Sequence, residues 1–239
     1  MLPAWLQILS LASLTLAGCC ALVIAVDEVR HPQQMWIMNV VWPVTALFGS
    51  LVALLGYFRY GRVAARAEVM PAMKRGEESP PFPVMVAKGT CHCGSGCCIG
   101  DILAEWLTFF FPAVAIWLGW QSVFAEKTFA VWILDFLFAF VLGVVFQYFT
   151  IKPMRNLSPG RGLVEALKAD TLSLTAWQLG MYSFMAFAQF YVFWRLLGLR
   201  LEVNSVTFWF AMQLSMVTGF ATSYPVNWWL VSKGIKEKM

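Results

Sequence analysis

The chain has 239 residues, of which 60% are hydrophobic and only 13% charged, against about 25% charged in an ordinary soluble domain. That balance excludes a water-soluble domain and points to an all-α polytopic membrane protein whose first partner is the lipid bilayer. The net charge of +4 comes without the dense basic run that phosphate contacts need, which excludes nucleic acid.

Residues 3–26 form the first apolar segment, long enough for the roughly 30 Å of bilayer hydrocarbon. Within it Leu16-Ala17-Gly18-Cys19 resembles a lipoprotein cleavage box, but a signal peptide opens on basic residues and the first Arg here is Arg30. The segment therefore reads as a retained helix, with Cys19 and Cys20 as small apolar residues in it. A polar loop, 27–34, carries His31 and leads to a second span at 36–57. Trp36 and Tyr57 sit at its ends as interface anchors, and Pro43 lies inside it.

The basic segment 59–90 follows. Its Ser79-Pro80-Pro81-Phe82-Pro83 run opposes regular helix, while 62–73 can extend the second span as an amphipathic surface piece. Further spans are expected at 102–124, 129–151, 174–197 and 206–231, with Asp170-Thr171-Leu172-Ser173 as the N-cap signal of the fifth. Segments 59–90 and 152–168 and the C-terminus hold thirteen of the seventeen Lys and Arg, so the positive-inside rule places all three in the cytoplasm. The expected fold is a transmembrane helix bundle of about six helices, with both termini cytosolic and His31 on the opposite side. It divides into two N-terminal helices (1–58), a basic Pro-containing loop (59–90) and a core of four helices headed by a Cys-rich loop (91–239).

That loop is the chemically dense stretch. Cys91-His92-Cys93-Gly94-Ser95-Gly96-Cys97-Cys98-Ile99-Gly100-Asp101 packs four of the six cysteines and one of the two histidines before an apolar run. A cytosolic position argues against structural disulfides. Soft thiolates beside an imidazole select Cu(I), Zn(II) or an iron–sulfur centre. Gly94 and Gly96 permit the tight turning that brings Cys91, Cys93 and Cys97 onto one ion. The spacing matches neither a zinc finger, nor a haem attachment site, nor a thioredoxin-type pair. Incidental small residues at a helix start, or a thiol redox site, are the alternatives.

The expected topology brings other polar residues to the depth of this loop: Asp101, Gln147, Asp170, Thr171, Ser173, Tyr224 and Asn227. Asp101 and Glu105 stack four apart on one helix face. Helix-capping explains Asp101 and Asp170 equally well, whereas Glu105, about one turn into the membrane, and Asp135 in the fourth span are the residues that ask for a partner or a wet cavity. Met181 and Met185, and Met212 and Met216, are pairs four apart on the last two helices. They can line a path for Cu(I), or simply fill apolar helices. No nucleophile triad, P-loop, dinucleotide motif or paired-His metalloprotease helix is present, which disfavours an enzyme of those classes.

The stretch from Cys91 to Asp101, the block Lys168-Ala169-Asp170-Thr171-Leu172-Ser173-Leu174-Thr175 and the block Thr222-Ser223-Tyr224-Pro225-Val226-Asn227-Trp228-Trp229-Leu230 with Lys233-Gly234-Ile235-Lys236 resemble the bacterial domain-of-unknown-function family 4396. The resemblance runs from about Gly89 to the C-terminus. It implies a bacterial inner-membrane location, and it leans toward copper because some members carry a copper-oxidase label. In many relatives a Thr stands at the first Cys, which makes His92, Cys93 and Cys97 the stronger ligands and Cys91 and Cys98 auxiliary. The expected function is binding of a soft metal, Cu(I) first, for transport or homeostasis. Asp101, Glu105, Asp170, Tyr224 and Asn227 give polar support, and a metal chaperone, a cuproprotein or a second copy of the chain are the partners in view. A membrane thiol oxidoreductase or a non-catalytic assembly partner is the competing expectation.

Overall fold

The computed structural model describes residues 2–65 and 80–237, and these are all-helical, with no strand beyond isolated bridges. Helix α1 (Ala4–Arg30) is followed by α2 (Met38–Gly56), which continues through a widened π turn (Tyr57–Gly61) and a 3-10 turn (Arg62–Ala64). Then come α3 (Phe82–Phe110), a short α4 (Pro112–Trp117) and α5 (Lys127–Arg155). Helix α6 (Pro159–Ala186) runs on as a π segment (Phe187–Leu196), and α7 (Val206–Ser232) closes the bundle. Three helical stretches, Ala4–Arg30, Met38–Ala64 and Lys127–Arg155, are long and apolar enough to cross a membrane.

The second of these does not run straight. Ser50 has φ 43° and ψ −124°, far outside helical values, and the chain reverses there. The arm that returns packs on the arm that left. Trp42 meets Tyr57 edge to face with centroids 5.6 Å apart, and a β-carbon at Gly61 would stand 2.7 Å from the Trp42 ring. At the open end Gln34 N–H donates to Ala64 O at 3.0 Å, Tyr57 Oη donates to Asp27 at 2.8 Å, and Arg62 lies beside both Asp27 and His31. The expected straight second span is thus a helical hairpin. Its first arm, 38–49, covers only about 18 Å at 1.5 Å per residue. His31 and Arg62, expected on opposite sides, sit together. The amphipathic continuation expected over 62–73 begins with the 3-10 turn, and the rest lies outside the described residues.

Helices α3, α5, α6 and α7 form the core bundle, with α1 and the hairpin packed on its flank. Ser13 on α1 donates to Gln213 near the start of α7, and Trp36 meets Phe149 near the end of α5. Helix α1 therefore runs parallel to α7, and the start of α1 and the end of α7 lie at opposite ends of the bundle. The expectation that both termini share one side is corrected by these contacts. The physical cause is the hairpin, which crosses no more than half the bundle and so does not restore the polarity of the chain.

Two helices also start earlier than expected. Helix α3 begins at Phe82 with Pro83 in its first turn, where proline's missing N–H costs nothing. It ends at Phe110, so the expected 102–124 span is divided between two helices. Helix α6 begins at Pro159, after an extended Ser158, so Asp170-Thr171-Leu172-Ser173 lies inside it rather than capping it. The side-chain cap falls on Ser205, whose Oγ accepts from Phe208 N at 3.2 Å.

Candidate functional site

The Cys-rich stretch is not a loop. Residues 91–101 are the middle of α3, and all of them except Cys91 and Ile99 are buried. The glycines explain why. A β-carbon at Gly96 would stand 3.1 Å from Gly143 N on α5, and one at Gly100 only 2.6 Å from Ala139 N. A side chain at Gly94 would enter the Trp177 ring, and one at Gly143 would collide with the Asp170 carboxyl. These glycines let three helix backbones approach closely, the usual role of small residues between tightly packed helices, and are not turn residues.

Being helical, the stretch distributes its donors around the helix instead of gathering them. Cys91 faces the hairpin, beside Thr45, in an apolar groove with Trp42 and Lys88. Ser95 accompanies it, donating to Val41 O at 3.1 Å. Cys98 lines a separate apolar cavity of about 360 Å³ together with Met212 and Met216. His92 faces α5, its Nε2 3.0 Å from Thr150 Oγ1 and its Nδ1 without a hydrogen-bond partner among the described residues. Cys93 and Cys97, one turn apart, point to the interior as hydrogen-bond neighbours. Among the described residues no three His, Cys, Asp or Glu side chains are grouped as metal ligands, so the expected five-residue set Cys91, His92, Cys93, Cys97 and Cys98 is not assembled. The thiol pair is what remains of it.

Around that pair the bundle builds a polar column. At its base Lys236, buried although it follows the end of α7, donates to Asn227 Oδ1 at 2.6 Å and to Ser173 Oγ at 3.3 Å. Asn227 Nδ2 donates to Ser173 Oγ and Ser223 Oγ, both at 2.8 Å, and Ser223 Oγ donates to Ser173 O at 2.9 Å. Cys93 meets Ser173 and Asp170 above this network. Asp170 and Gln147 are fully buried and lack well-formed hydrogen bonds.

Beyond Cys97 the column continues. Asp101 Oδ1 accepts from Gln178 Nε2 at 3.2 Å, and Asp135 on α5 and Glu105 on α3 stand close enough to interact with Asp101 and with each other. Tyr182, one turn beyond Gln178, stacks on Trp132 at 4.5 Å and donates to its carbonyl at 3.0 Å. The column opens at Glu105 into a polar cavity of about 130 Å³, lined also by Glu126, Lys127, Thr128, Gln189 and Arg200.

The expected supporting residues are therefore divided. Asp101, Asp170 and Asn227 lie in the column. Glu105 lies in it too, but near the far end of α3, because that helix starts twenty residues earlier than expected. Tyr224 stands apart, half-buried, donating to Pro83 O at 3.2 Å and tying α7 to the start of α3. Thr171 is exposed and bonds its own helix. Met181 and Met185 are buried in the core cluster that holds Cys93 and Cys97, as are Met212 and Met216. Residues outside the expected site are Lys236, Gln178 and Tyr182. A lysine near a chain end carries no sequence signal of burial, and a lone Gln or Tyr in an apolar helix carries little more.

The family model described as domain of unknown function DUF4396 matches residues 84–236, well over half of the chain, and the chain belongs to that family. No curated protein and no solved structure matches it. The match begins at the start of α3, so the column belongs wholly to the family domain, and α1 and the hairpin precede it.

Proposed function

We propose that this DUF4396 protein is a multi-pass protein of the bacterial inner membrane that binds Cu(I) through Cys93 and Cys97 for transport or homeostasis. The observation that carries the reading is the thiol pair itself: two sulfurs one helical turn apart, buried, facing the interior, with buried methionines in the same core. Thiolates and thioethers are the donors that select Cu(I) under reducing conditions. A Cu(I) ion held by two thiolates carries net charge −1, and the buried Lys236 ammonium beside Ser173 and Asn227 supplies the compensating positive charge that a buried anion needs. His92 flanks the pair and offers an unpartnered Nδ1.

The hairpin supports one membrane arrangement. Helices α1, α3, α5, α6 and α7 are each 27 residues or longer, enough for about 30 Å of hydrocarbon, and the hairpin enters and leaves on one side. Ten Lys and Arg among the described residues lie toward the end of the bundle where α7 finishes, against Lys127, Arg195 and Arg200 at the other. The positive-inside rule then assigns the C-terminus to the cytosol and the start of α1 to the outer face.

The test is elemental analysis of detergent-purified protein, prepared without a chelating tag, beside the C93S/C97S variant. Near-stoichiometric copper in the wild type that disappears in the variant is expected. Absence of copper in both after anaerobic reconstitution with Cu(I) overturns the reading, and reversible oxidation of the metal-free pair would then assign the site to thiol chemistry.

A further inference from the structure

The cavity of about 130 Å³ beside the start of α5 plays no part in holding a soft ion, yet a buried acid without a partner lines it. Glu105 is only 6% exposed, and its carboxyl makes no hydrogen bond and no close ion pair among the described residues. Lys127 stands nearby but is held elsewhere: its Nζ donates to Thr108 O at 2.9 Å and lies 5.8 Å from the centroid of the Trp120 ring. A carboxyl buried without donors calls for a proton or a cation.

The other lining residues narrow the choice. Arg200 donates to both carboxyl oxygens of Glu126, at 2.9 and 3.3 Å, and its guanidinium lies 4.7 Å from the centroid of Trp194, so one cation already rests on an aromatic ring here. Three carboxyls, Glu105, Glu126 and Glu202, face two cations, Lys127 and Arg200, which leaves the lining formally negative. Gln189 Oε1 accepts from Thr128 Oγ1 at 2.8 Å and keeps a second lone pair. Phe109, Phe190 and Phe208 supply aromatic surface between these polar groups. Gln189, Phe190 and Trp194 belong to the π segment, and such widened turns are frequent at functional sites. Among the described residues no three His, Cys, Asp or Glu side chains are grouped to hold a metal ion, whereas an ammonium asks only for one carboxylate and a neutral acceptor or two. The volume is a little under the roughly 150 Å³ that encloses one benzene in an engineered cavity, which suits a ligand of about five heavy atoms.

We propose that this cavity binds a small primary ammonium ion, its N–H donors on Glu105 and Gln189 and its short apolar tail against Phe109, Phe190 and Phe208. Glu105 supplies the opposite charge, and the aromatic rings attract the cation as well as cover the tail. Arg200 weakens the attraction by occupying Glu126 at the rim. The site lies eight residues, about 12 Å along α3, from Cys97, and it stands whichever ion the thiols take.

The experiment is isothermal titration of the metal-free full chain in detergent with n-butylammonium chloride at constant ionic strength. The expected result is saturable binding at one site. Binding should be about tenfold or more weaker for n-butanol, which has the shape without the charge, and for tetramethylammonium, which has the charge without an N–H. E105Q should weaken butylammonium binding about tenfold or more while keeping or raising the melting temperature, since it removes a buried acid without a partner. R200A should strengthen binding about threefold or more, because it frees Glu126 and takes a positive charge from the rim. No saturable binding by the wild type, equal binding of n-butanol or tetramethylammonium, or unchanged affinity in E105Q overturns the proposal. Should E105Q fail to fold, R200A decides, and an unchanged or lower affinity there overturns it too. Copper takes no part in the titration, so failure of the Cu(I) reading is seen separately, in the elemental analysis.

Discussion

Arg62 Nη2 lies 3.2 Å from His31 Nε2. The two residues flank a segment apolar and long enough to cross a bilayer, and their contact shows that the segment returns to the end of the bundle it left. Asp27 joins them, 3.5 Å from Arg62 Nε and 3.3 Å from His31 Nδ1, so the open end of the hairpin is closed by a small charged cluster.

This makes a topology prediction. Single cysteines placed at His31 and Arg62 should react with a membrane-impermeant maleimide from the same face of sealed vesicles, and a tag at the N-terminus should be accessible only from the opposite face. Labelling of the two positions from opposite faces would mean that the hairpin is absent in the membrane.

The thiol assignment predicts an uneven response to cysteine substitution. C93S or C97S should weaken Cu(I) binding by far more than tenfold, since each removes a soft donor. C91S and C98S face the hairpin groove and the methionine cavity and should leave affinity within about threefold, the ordinary scatter of a neighbouring change. Competition against a chromophoric Cu(I) chelator measures both, and equal losses in all four variants would return weight to a ligand set spread around the helix.

Asn227 links α6, α7 and Lys236 through five hydrogen bonds, and it positions the charge beside the thiols. N227A should lower Cu(I) affinity about 10–100-fold, the range seen when outer-shell partners of metal ligands are removed. It should also lower thermal stability, because Lys236 and Ser173 are left with fewer partners in a buried place. An N227A protein with wild-type affinity and melting temperature would remove Lys236 from the site.

Close helix approach predicts a contrast between glycines. G143A drives a methyl into the Asp170 carboxyl and G94A drives one into Trp177, and each should destabilise by about 1–3 kcal/mol. G160A near the start of α6 meets open space and should be neutral or stabilising by up to about 1 kcal/mol. Melting temperatures in one detergent give the comparison. If G143A were as stable as G160A, the α5–α6 contact would be looser than described.

Asp135 predicts a substitution that costs no stability. Both of its oxygens are buried without a partner, so D135L should leave stability unchanged or raise it by about 1–4 kcal/mol, as when buried charges give way to apolar groups. A D135L protein that unfolds would show instead that Asp135 holds the helices together.

The sequence by itself determined the class and most of the helices. Low charge and long apolar runs give an all-helical bundle with stretches long and apolar enough to cross a membrane, and the fourth and sixth expected segments, 129–151 and 206–231, lie within a few residues of α5 and α7. It also picked out the residues of the column, because Asp101, Glu105, Asp135, Asp170 and Asn227 are polar where their surroundings are not. What it did not carry was direction. Four cysteines and three glycines crowded together read as a loop, since glycine's freedom to turn and its lack of a side chain look alike in one dimension. Only the packing of α3 on α5 and α6 reveals that these glycines are there for close approach, which keeps the stretch helical and spreads its thiols around the axis. The reversal at Ser50 is equally invisible: hydropathy counts apolar residues but not their path, and it is the contact of Trp42 with Tyr57 and Gly61 that folds the segment back and sets the termini at opposite ends.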